Sequence, residues 1–153
     1  MKVSLKKILL LAGATLGLIS FVMVFVTPIE GYSWDKVYFT QKAETIIGDI
    51  VSNGAWLPFL GFILILLSAV ALGLLAFDIL ISQKKLGYFS YAILLPTLLG
   101  VIFVFLTKSN YVAVNDVADF IANEMKLGAG PILGGIFGIL SLLSGAAGIY
   151  LKK

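Results

Sequence analysis

Four long apolar runs, at residues 8–27, 57–81, 86–106 and 131–151, dominate this chain. Each is at least as long as the roughly 20 residues a helix needs to cross the hydrocarbon layer of a bilayer. Asp78 is the only charge inside any of them. Lipid offers no partner to an open backbone, so such segments have to be helical. A transmembrane barrel would instead show alternating segments of about 10 residues, which the sequence lacks. The expected fold is an all-α integral membrane protein, a four-transmembrane-helix bundle forming a single membrane domain over residues 1–153.

Composition agrees, with 60% hydrophobic and 12% charged residues. A soluble domain is nearer half apolar and a quarter charged. Lys2, Lys6 and Lys7 ahead of the first run resemble a signal-peptide n-region. The run is twenty residues long, however, and its only A-x-A, Ala12-Gly13-Ala14, stands near its start. A retained first helix is expected.

Charge placement sets the expected orientation. Seven of the eleven lysines stand at the N-terminus, in the short 82–85 connection and at Lys152 and Lys153; the loops at 28–56 and 107–130 hold the other four and seven of the eight acids. Positively charged connections stay inside, so both termini are expected in the cytoplasm and both long loops on the extracytoplasmic side of the plasma (cytoplasmic) membrane. The net charge of +3 then reflects topology and anionic headgroups, with no nucleic-acid partner implied.

Each long loop carries a helical pattern. Phe39, Ala43, Ile46, Ile47, Ile50 and Val51 form one apolar stripe, with Asp35 as N-cap and Asn53-Gly54 as stop. Val114, Val117, Ala118, Ile121 and Met125 form another, capped by Asn110 or Asn115 and stopped at Gly128. Short amphipathic helices are therefore expected in both extracytoplasmic loops.

Two re-entry segments read alike: PFLGFILILLS from Pro58 and PILGGIFGILS from Pro131 share six of eleven positions. VFVT ends the first apolar run and VFLT the third. Residues 8–81 and 86–153 thus follow one plan, a candidate tandem 2+2 helix repeat about an axis along the membrane normal. Both prolines fit a first helical turn, where the missing N–H has no partner to lose.

The layout of four helices, two internal termini and a tryptophan in the first outer loop, within GYSWDKVYFT, resembles the claudin-like tetraspan proteins. The resemblance is one of topology. That family's loop cysteines have no counterpart here, since the chain has none, and no residue roles are carried over.

Candidate functional residues fall into three groups. Gly130, Gly134 and Gly138, with Gly13 and Gly17, make small-x-x-x-small faces that let helices approach closely in lipid; they serve packing inside the bundle or a seam between protomers. Tyr32, Trp34 and Tyr38 cluster before the first loop helix, as interfacial anchors or a partner-binding patch. Asp78 is the candidate functional carboxylate, although its position near Lys84 and Lys85 also suits an interfacial residue.

Neither histidine nor cysteine is present, which removes the usual nucleophile–base pairs and zinc sites. No enzyme activity, cofactor or metal is expected. The reading that results is a non-enzymatic interaction protein: an accessory subunit, scaffold or immunity-type protein, bound to the lipid bilayer and to another membrane or extracytoplasmic protein, or to copies of itself. The alternative is an oligomeric channel or small solute or ion transporter, with Thr15, Ser20, Ser68, Ser90, Thr97, Ser141 and Ser144 as the residues available to line a wet path.

Overall fold

The computed structural model describes residues 4–26, 29–31, 56–77, 86–114, 116 and 119–151. Four long helices dominate: α1 (Leu5–Val22), α2 (Trp56–Ala76), α3 (Leu86–Phe105) and, after two shorter helices, α6 (Ala129–Tyr150). Ser4 caps α1, its Oγ accepting from the Lys7 amide at 3.3 Å, and a 3-10 turn over Met23–Phe25 prolongs it. Pro58 and Pro131 both fall in the first turn of their helices and are buried. Helices α1, α2 and α6, at Leu5–Phe25, Trp56–Ala76 and Ala129–Tyr150, are long and apolar enough to cross a membrane. A fourth span is counted if Ser90–Phe105 and α4 (Thr107–Val114), bent by 57° to one another, act as one.

The long helices close into a ring. α1 lies between α2 and α6, and α3 completes the ring by packing on α2 and α6. Neighbours run antiparallel: Gly17 meets Ala69 while Gly13 meets Leu72, and Gly138 meets Val101 while Gly135 meets Phe105. Two apolar clusters fill the interior. One gathers Leu10, Leu72, Leu75, Ile93 and Ile149 towards the chain termini; the other gathers Val24, Phe62, Ile65, Val101 and Val104 at the opposite end.

The surface inverts the soluble pattern. Large apolar residues stand exposed along every long helix, among them Leu18, Leu67, Leu98, Ile136 and Leu143. Fully buried positions include the hydroxyl residues Ser20, Ser90, Thr97 and Ser141. An apolar belt on this scale far exceeds what soluble monomers expose; with the helix lengths, it marks a membrane protein. Trp56 stands exposed at one end of the belt, and Tyr91 and Tyr150 at the other, where amphipathic rings suit the bilayer interfaces.

The connections depart from the expected loop helices. Ile29–Gly31 (β1) and Met125–Leu127 (β2) pair antiparallel, with Ile29 opposite Leu127 and Gly31 opposite Met125. The helix expected through Val114 to Met125 is divided into α4 and α5 (Asp119–Glu124). Between them Asp116 takes a left-handed backbone, φ 49°, which a helix does not tolerate but aspartate accepts more readily than most residues. Asn110 lies within α4 and does not cap a helix. Met125 is nearly fully buried, yet as a strand residue. The stripe expected over 39–51 lies outside the described residues.

Across the middle of the ring, α2 presents large side chains where α6 presents none. A Cβ on Gly134 would lie 2.5 Å from Phe62 Cε1, one on Gly138 3.1 Å from Ile65 Cδ1, and one on Gly145 2.8 Å from Leu72 Cδ1. Ile65 and Leu72 meet the glycines that align with them when Pro58 is matched to Pro131. Gly145→Leu is expected to overpack the centre, at a cost of about 1–3 kcal/mol. Combining it with Leu72→Ala should restore a large part of that loss. Unfolding in mixed detergent micelles reads both, and strict additivity of the two substitutions would contradict the contact.

Candidate functional site

Gly13 and Gly17 face into the bundle. A Cβ on Gly13 would come within 3.0 Å of the Gly145 amide nitrogen and 3.1 Å of the Ser141 carbonyl oxygen; on Gly17 it would stand 2.6 Å from Ala69 Cβ. Gly130, Gly134 and Gly138 are all buried on α6. Gly13, Gly17, Gly134 and Gly138 each meet side chains or backbone of other long helices of the same chain. Gly148 is set against Leu10 of α1, and Gly135 against the Phe105 ring of α3.

Two hydrogen bonds lock α1 to α6. The Ser20 hydroxyl donates to the Gly134 carbonyl at 2.7 Å, and the Ser141 hydroxyl donates to the Gly13 carbonyl at 2.7 Å. Both serines are fully buried. The arrangement is reciprocal: each serine follows, by seven residues on its own helix, the glycine whose carbonyl accepts from the other. Seven residues is two turns, so serine and glycine share a face, and the missing glycine side chains bring the carbonyls within reach. Sequence reasoning placed these serines among residues for a wet path. The signal it passed over was the repeated Gly-to-Ser spacing.

Other hydroxyls are held closer to home. Thr97 Oγ1 donates to the Ile93 carbonyl at 3.4 Å, one residue beyond Pro96, the proline inside α3. Thr107 Oγ1 donates to the Val104 carbonyl at 2.5 Å, where α3 turns into α4. Tyr150 donates to Ser90 at 3.2 Å near the terminal end of the bundle. Ser68 differs: its Oγ is buried with no hydrogen-bond partner among the described residues.

At the other end the chain builds a cap. The ladder of β1 and β2 sits beside α4, and Ile29, Tyr111 and Met125 form a small core of their own, with Val112 against it. The cap's exposed residues include Ser109, Asp116, Asp119, Asn123 and Lys126. The side chains of Asp116, Asp119 and Lys126 stand in solvent, and no group of three or more acidic, histidine or cysteine residues comes together among the described residues. An open apolar groove, walled by Trp56, Leu57, Phe59, Leu60, Ile63 and Asn110, lies where α2 begins; the Trp56 and Phe59 rings meet edge to face at 6.4 Å.

Tyr32, Trp34, Tyr38 and Asp78 lie outside the described residues. Compared with protein-family models, curated proteins and solved structures, the chain matches none of them.

Removing either hydroxyl of the reciprocal pair, by Ser20→Ala or Ser141→Ala, is expected to lower stability by about 0.6 kcal/mol, the average for hydrogen bonds between membrane helices, and by no more than about 1.7 kcal/mol. Ser68→Ala, which removes an unpaired polar group from a buried site, is expected to be neutral or stabilising. Equilibrium unfolding of the three variants under one set of micelle conditions checks the ordering. A second check uses the absence of native cysteine. Glu30→Cys with Lys126→Cys, facing positions in the ladder, should oxidise to an intrachain disulfide, because paired strands hold Cα atoms about 4.5–5.5 Å apart. Glu30→Cys with Asn123→Cys should not.

Proposed function

We propose that this chain is a non-enzymatic, multi-pass protein of the plasma (cytoplasmic) membrane that acts by binding another protein through its capped end. It crosses the bilayer four times, with both termini in the cytoplasm and the cap on the extracytoplasmic side. Lysine placement supports that orientation. Lys6 and Lys7 stand at the bundle end opposite the cap, Lys7 with its Nζ 5.0 Å from the centre of the Phe77 ring, and in the sequence Lys2 precedes α1, Lys84 and Lys85 fall between α2 and α3, and Lys152 and Lys153 follow α6. Positive charge is retained on the cytoplasmic side.

The observation that carries the reading is the contrast between the two parts of the molecule. Among the described residues the bundle interior is filled, with Phe62, Ile65 and Leu72 seated on glycines across its centre, which argues against a solute path through a single chain. The cap has its own buried core and a paired backbone, so its polar face is held in one shape, as a recognition surface requires. An accessory subunit, a scaffold and an immunity-type protein all work in this way, and a second copy of the chain is one admissible partner. The halves 8–81 and 86–153 are read as a tandem repeat: Val24 and Val104, matched by VFVT and VFLT, share one cluster, and aligned positions of α2 and α6 meet at the bundle centre.

A photoreactive residue at Asn123 should give, in intact cells, a protein adduct of defined mass, whereas one at Leu67 on the belt should give lipid adducts. Asp116→Cys and Ser4→Cys should be labelled from opposite sides of the membrane. Absence of any protein adduct at Asn123, together with selective ion or solute flux in liposomes holding the purified chain, would replace this reading with the channel or transporter.

A further inference from the structure

We draw no further inference here: the strongest candidate, the apolar groove where the start of α2 meets α4, walled by Trp56, Phe59, Ile63 and Asn110, carries nothing because nothing in the structure shows what covers it.

Discussion

The close approach of α1 to α6 is the contact on which the rest of this molecule depends. Inside lipid there is no hydrophobic gain in bringing two apolar helices together, so the contact has to come from packing and from hydrogen bonds between helices. Both are present at one seam. Gly13, Gly17 and Gly145 let the backbones come near, and Ser20 and Ser141 each reach a carbonyl on the opposite helix. The consequence extends beyond the two helices. It brings the first and last helices side by side, closes the ring, and sets the chain after α1 next to the chain before α6, where β1 and β2 pair. The cap is thus built on the seam.

The same helix α6 also determines what the interior can do. Its glycines receive side chains from all three other long helices: Leu10 from α1, Phe62, Ile65 and Leu72 from α2, and Val101 and Phe105 from α3. The two re-entry segments share proline, leucine and glycine at their helix starts and have complementary residues further in, with large side chains on α2 where α6 has glycine. Two copies of the α2 sequence would collide at the centre, and two copies of the α6 sequence would leave it open. Their difference is what fills the middle of the bundle. A filled middle is why the proposed function is sought at the surface, where the cap presents exposed polar residues.

The apolar runs made the long helices legible, because a run of that length has one conformation open to it in lipid. The starts at Pro58 and Pro131 were legible for an equally local reason. The small-residue spacing on α1 and α6 marked positions that meet other helices of the chain, but spacing does not say which helix faces which. The ladder was not legible. Ile29–Gly31 and Met125–Leu127 are three residues each and lie far apart in sequence, so neither shows a strand period, and only the α1–α6 contact brings them together. The second loop misled for a related reason. Val114 to Met125 has helical spacing throughout, but the left-handed turn at Asp116 breaks it, and Met125 is drawn into the small core beneath the ladder. Of the candidate site, the glycines were legible as small residues at helical spacing, whereas the pairing of Ser20 and Ser141 with opposing carbonyls needed the tertiary contact.

The claim that most of this rests on is a dry, filled interior, and thiol accessibility at its centre tests it most directly. Ser68→Cys changes one atom at a buried position midway along α2, in a chain with no other thiol. In a lipid bilayer, a small charged thiol reagent should leave it unmodified over a period in which Ser109→Cys on the exposed face of α4 reacts to completion. Modification of Ser68→Cys at a comparable rate would mean that water reaches the middle of the bundle, and would contradict the account.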